Sequence, residues 1–171
     1  MLKRLLLFCS LLFFVFFSIG CNGARTVNKS VPTGGAGEMA VLSLRGDTSK
    51  MTDDQIVELK RVGTWMDKDI IKQLKRAGYK ANLLKSRKEF NGSGHLLIIN
   101  VTNFRPGNKA ARAFVGFGAG GSSLDLKYKL LDSHGTSVSA WEDGVGSSKG
   151  GTYCAQTLNR NAIEQLKTIM N

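Results

Sequence analysis

The chain has 171 residues, 42% of them hydrophobic, with 24 Lys and Arg against 13 Asp and Glu and a formal charge of +11. That length supports one domain with a real core and not two comfortable ones. The positive balance favours anionic partners, and two isolated histidines without clustered cysteines give no metal-ligand pattern, so neither a metal nor a cofactor is expected.

Residues 1–21 set the address. Lys3 and Arg4 precede an uncharged apolar run, Leu5 to Phe17, which has the length of a signal-peptide core and is too short for a membrane span. The run ends in Ser18-Ile19-Gly20-Cys21, which resembles the lipobox of bacterial lipoproteins and departs from it at Ser18, where leucine is commonest. The resemblance implies cleavage before Cys21, a diacylglycerol on its thiol and a further acyl chain, such as palmitate, on the new amino group. Asn22, in place of the aspartate that signals inner-membrane retention in enteric bacteria, implies an outer-membrane anchor facing the periplasm. Losing Lys3 and Arg4 with the first 20 residues leaves 151 residues at +9. An exported chain rarely meets nucleic acid, so nucleic acid is set aside as a partner.

Asn22 to Gly37 is polar and rich in Gly, Ser, Thr and Asn, too poor in apolar surface to offset its conformational entropy. It reads as a flexible tether spanning roughly 20–25 Å. The expected organisation is therefore residues 1–20 as lipoprotein signal peptide, 21–37 as lipidated N-terminus and tether, and 38–171 as an α/β domain. Met39 to Leu44 reads as a central strand. Thr52-Asp-Asp-Gln55 has capping-box spacing, and Ile56, Leu59, Gly63, Met66, Ile70, Leu74 and Ala77 follow at steps of three and four. Gly78 is placed to end this helix, predicted over 53–77.

Tyr79 to Leu84 reads as the next strand, parallel to the first because a long helix connects them. Leu96 to Phe104 is strand-like, and Leu124 to Leu130 alternates strictly, as a strand with one wet face does. Asp132-Ser-His-Gly135 reads as a turn, Val138 to Glu142 as the returning strand, and Gly144 to Gly151 as a second glycine-serine loop. Ala155, Leu158, Ala162, Ile163, Leu166 and Ile169 give a closing amphipathic helix. The fold class expected is α/β, a single domain with a mixed sheet, in the order β-α-β-β-β-β-α, with helices on one or both faces.

Gly116-Phe-Gly-Ala-Gly-Gly121 matches the letters of a dinucleotide motif. That motif must open a helix so that the helix N-terminus receives the pyrophosphate, and here a strand pattern follows instead. Two readings remain: a backbone that needs glycine, or a surface segment in which Phe114, Gly116, Phe117, Gly118 and Gly120 meet a partner. Arg105 and Arg112 flank it, and with the glycine amides they could hold a phosphate or carboxylate.

Catalysis is not expected. The acidic pairs Asp53/Asp54 and Asp67/Asp69 fall at a helix start and on its polar face, and Glu142/Asp143 at a strand end has no readable companion. His95 and His134 lie in unrelated segments, and no serine elbow is present. Cys154 reads as a buried or partly buried bystander, with a Cys21–Cys154 disulfide as the rival if Cys21 carries no lipid.

Arg105-Pro-Gly-Asn-Lys-Ala-Ala-Arg112, running on through Val115-Gly-Phe-Gly-Ala-Gly120, is similar to the bacterial lipoproteins grouped as domain of unknown function 4410. The resemblance spans roughly Met39 to Ile169, departs in the Ser133-His-Gly135 turn, and has its most specific part in the glycine run. It implies a membrane-anchored, periplasm-facing α/β domain and assigns no activity. The expected partners are the membrane, through the anchor, and an envelope protein or anionic glycan or lipid. A scaffold or interaction module is the leading expectation, and a domain binding a small ligand or anion the alternative.

Overall fold

Thr52 opens the first helix as its spacing to Gln55 requires. The Gln55 amide donates to Thr52 Oγ1, and the Thr52 amide donates back to Gln55 Oε1 at 3.0 Å, closing a capping box. The helix, α1, runs Asp53–Arg76, and Gly78 follows at φ +94°, where Gly78 and Tyr79 return their amides to Lys75 and Leu74. Its buried stripe is Leu59, Val62, Gly63, Met66, Ile70 and Leu74.

The structure, a computed structural model, describes residues 37–108 and 120–170. The expectations for the leader, for Cys21 and the tether through residue 36, and for Arg112, Phe114, Gly116, Phe117 and Gly118 lie outside those residues. The described strands are β1 (Glu38–Leu44), β2 (Lys80–Leu84), β3 (His95–Arg105), β4 (Ser122–Leu131) and β5 (Ser137–Ser147), and the second helix, α2, runs Gly151–Met170. They form one sheet in the order β2-β1-β3-β4-β5. β1 pairs parallel with both β2 and β3, while β4 and β5 add antiparallel strands. The mixed α/β fold and the parallel crossover match the sequence pattern. No helix among the described residues is long and apolar enough to cross a membrane.

Both helices cover the same sheet face. Met39 and Val41, Leu97, Ile99 and Val101, and Leu124, Leu126, Tyr128 and Leu130 point into one core with the stripes of α1 and α2. The alternate residues Ala40, Leu42, Leu84, Leu96 and Leu131 form a smaller cluster on the opposite face, against which Phe90 packs from the segment joining β2 and β3. β1 is thus buried on both faces, as its apolar sequence demands.

β5 departs from its sequence reading. It does not stop at Glu142 but continues through Gly144, Val145 and Gly146 to Ser147, and α2 begins four residues later. Gly144 stands beside Asp125, and a Cβ there would lie 2.5 Å from Asp125 Oδ1. The glycine that suggests a loop is a close-approach residue within the ladder. Glu142 and Asp143 accordingly sit in mid-strand: Glu142 pairs with Lys127 at 2.6 Å, and Asp143 accepts from Asn161 Nδ2 at 2.8 Å.

Candidate functional site

Two ends of the sheet differ in what they carry. Because β1 and β3 are parallel and β5 is antiparallel to β4, the C-terminal ends of β1, β3 and β5 lie together. α1 follows β1 and α2 follows β5, so both helices open at this same end. The residues after β3 also leave from here. The C-terminal edge of an open α/β sheet is where ligands and partners are commonly met.

The stem of the β3–β4 connection is braced. Ser122, almost fully buried, donates its hydroxyl to the Pro106 carbonyl at 2.6 Å, and the Asn108 amide donates to the Gly120 carbonyl at 2.9 Å. Gly107 adopts φ +76°, and a Cβ on it would stand 2.5 Å from that same Gly120 oxygen. Only glycine fits there. After Gly121 the chain enters β4 rather than a helix, which removes the dinucleotide reading of the glycine letters.

Of the sequence candidates, Arg105 is exposed at the end of β3, and Gly120 forms the other side of the stem. Around them tertiary structure gathers residues that the sequence did not single out. A shallow groove beside the stem, about 300 Å³, is lined by Glu58 and Arg61 of α1, Pro106, and Lys149, Gly150 and Thr152 at the start of α2. Arg61 holds Glu58 in a two-point contact at 2.6 and 2.8 Å, which raises the guanidinium's already high pKa. Lys149 lies over the Tyr153 ring, 4.6 Å from its centroid. Arg61 is offset by Glu58, so Arg105, Lys149 and the amides opening α2 are what this pole offers to anionic groups.

The Asp67/Asp69 pair is structural. The Arg45 guanidinium pairs with Asp67, and Asp69 accepts from Gln73 and from Asn159 Nδ2. These two carboxylates bind elements to one another instead of occupying a merely solvated helix face. Cys154 is fully buried and free, with its thiol 3.7 Å from the Ser122 carbonyl, and burial pushes its pKa up. A buried thiol held protonated is no nucleophile. No group of three or more potential metal ligands occurs among the described residues.

The model of the domain of unknown function DUF4410 matches residues 36–158. A search of curated protein sequences finds no match. Among solved structures, a variant of the PelC dodecamer from Paraburkholderia phytofirmans superposes with a TM-score of 0.55 at 13% identity, over 83% of this chain and 96% of that one. A second PelC dodecamer crystal gives 0.51 at 17% identity, over 78% and 92%. A putative neuraminyllactose-binding hemagglutinin homologue from Helicobacter pylori gives 0.45 at 9% identity, over 80% and 92%. At these identities the likeness to PelC is one of fold alone.

Proposed function

This chain belongs to the DUF4410 family, and we propose that it works as a lipid-anchored protein of the bacterial cell envelope, a non-catalytic scaffold or interaction module in the periplasm. The polarity of the domain carries this reading. The chain enters β1 at Gly37, whose carbonyl accepts from the Lys80 amide at 2.9 Å beside the N-terminal end of β2. The stem formed by Asn108 and Gly120 lies at the opposite end, beside Arg105. The eleven residues of β3 put about 33 Å between the two poles.

Cys21 is the anchor in this reading, with palmitate among its acyl chains, and Asn22 directs it to the outer membrane. The Asn22–Gly37 tether then holds one pole toward the lipid, and Phe114, Gly116, Phe117 and Gly118, which follow the braced stem of the other pole in sequence, are the expected contact residues. Two or more acyl chains hold a protein stably where one does not. Mass spectrometry of the mature N-terminus checks the anchor: a free, unacylated start anywhere but Cys21 removes it. Crosslinking and pull-down from membranes check the module. Capture of an envelope component, lost when Phe114 and Phe117 become serine, is the expected result, and capture unchanged in that variant refutes the assigned surface.

The opening of both helices at the same pole favours a second reading, binding of a phosphate or glycan anion by Arg105, Arg112 and the Gly116–Gly121 amides. Calorimetry with inorganic phosphate and with sulfated or phosphorylated glycans tests it. Binding that weakens on Arg112→Ala supports this second reading, and no binding in the wild type ends it.

A further inference from the structure

The sheet has two edges, β2 and β5, and no described strand pairs with the outer side of either. They are guarded unequally. β2 is short, five residues, and carries Lys80, as protected edges do. β5 is eleven residues long and contains no proline, lysine or arginine. An edge of that length offers a row of outward amides and carbonyls to another strand.

The two edges also complement each other face by face. On the helix side of the sheet, Leu83 of β2 shares the face of Ala81 and is 45% exposed, a large apolar side chain only partly covered. On the same side of β5, Trp141 and Val145 are only partly buried. On the open side, Lys80 and Asn82 of β2 are exposed, and β5 presents Gly144 and Glu142, both exposed, with Glu142 holding Lys127 of β4 on its inner side. The flank of β2 adds exposed Lys85, Arg87 and Lys88, whereas β5 itself contributes only carboxylates to the charge balance.

We propose that β5 of one copy takes up β2 of a second copy of this chain, as a parallel strand that continues the sheet across the two molecules. Within one copy β5 runs in the same direction as β2, so a neighbour displaced along the sheet presents its β2 parallel, with both pairs of helices on the same side. One register satisfies both faces. The neighbour's Lys80 lies beside Glu142, its Asn82 beside Gly144, and its Leu83 beside Val145 and near Trp141. The exposed leucine is covered, and opposite charges meet across strands. The contact is heterologous, using a different surface on each copy, so it repeats until it closes into a ring or runs on as a filament. It does not depend on the lipid anchor.

The test uses the full chain in detergent, followed by sedimentation and native mass spectrometry over a concentration series. Concentration-dependent assembly is expected. Lys80→Glu or Glu142→Lys alone should loosen it about tenfold, and the two charge reversals combined should restore most of that loss. Leu83→Cys with Val145→Cys supplies a geometric readout. Within one copy these positions are four strand spacings apart, roughly 19 Å, beyond the Cα separation of about 4.4–6.8 Å that a disulfide spans. Oxidation should therefore join only different copies. A chain that stays monomeric at every concentration overturns the proposal, including the case in which β5 accepts a strand from another protein. Assembly that ignores the charge reversals and forms no crosslink also overturns it.

Discussion

The Arg45 guanidinium occupies the space where a side chain at Gly63 would sit. A Cβ on Gly63 would collide with Arg45 Nε and Cζ, and the arginine crosses that gap to pair with Asp67 one turn further along α1. Gly63 lies in mid-helix, where alanine would ordinarily gain about 1 kcal/mol. Here Gly63→Ala should instead destabilise by roughly 1–2 kcal/mol, because it displaces Arg45 and leaves Asp67, whose Oδ1 is already buried without a partner, short of its cation. In an Arg45→Ala background the same substitution should turn stabilising. Urea denaturation of the four proteins of this cycle reads the change of sign.

Asn159 of α2 is fully buried and donates Nδ2 to the Met66 carbonyl at 3.0 Å and to Asp69 Oδ2 at 2.9 Å. It joins the two helices. Asn159→Ala should cost about 2–3 kcal/mol, combining two lost hydrogen bonds with a small cavity. Asn159→Asp should cost more at neutral pH, where it sets a second carboxylate against Asp69, and should recover part of that loss in mild acid. Thermal unfolding at pH 7 and pH 4.5 separates the two effects.

Gly107 fixes the stem of the β3–β4 connection. Gly107→Ala combines a left-handed backbone with a contact against the Gly120 carbonyl, and should cost roughly 2–3 kcal/mol of local stability. The effect is local to that end of the hairpin. Hydrogen exchange should show the Asn108 amide losing protection, with amides in β1 unchanged.

His95, at the start of β3, is held below its ordinary pKa of 6.5, mainly by burial, with the Asp132 charge opposing that shift. The folded state thus prefers the neutral imidazole, and the unfolded chain binds the proton more readily. Stability is fully present above pH 6.5 and falls as pH drops through that value, since protonation then favours the unfolded state. His95→Gln should flatten this part of the profile. Denaturant midpoints between pH 7.5 and pH 5 measure it, and identical slopes in both proteins count against the assignment.

What the sequence displays and what it conceals divide by distance along the chain. The cap at Thr52, the stripe of α1 and the stop at Gly78 are set by residues within a few positions of one another, and they are readable. β5 is misread because Gly144 and Gly146 look like loop residues until Asp125, on the neighbouring strand, explains why Gly144 carries no side chain. Arg45 with Asp67, and Asn159 with Met66, join residues 22 and 93 positions apart. No periodicity encodes such pairs. At the candidate site the sequence reaches Arg105 and the glycine run, while the nearness of Arg61 and Lys149 depends on both helices opening at one pole.

The place of β1 in the sheet also sets how the domain bears tension. A force applied at Gly37 would pull directly on this strand, which is bonded in parallel to β2 along one side and β3 along the other. A pull along its axis shears both ladders at once, so their hydrogen bonds share the strain instead of opening singly as at a peeled edge. A leash joined to an edge strand would unzip the fold at its weakest border. Joined to an inner strand, it meets the sheet where a steady drag must break the most bonds together.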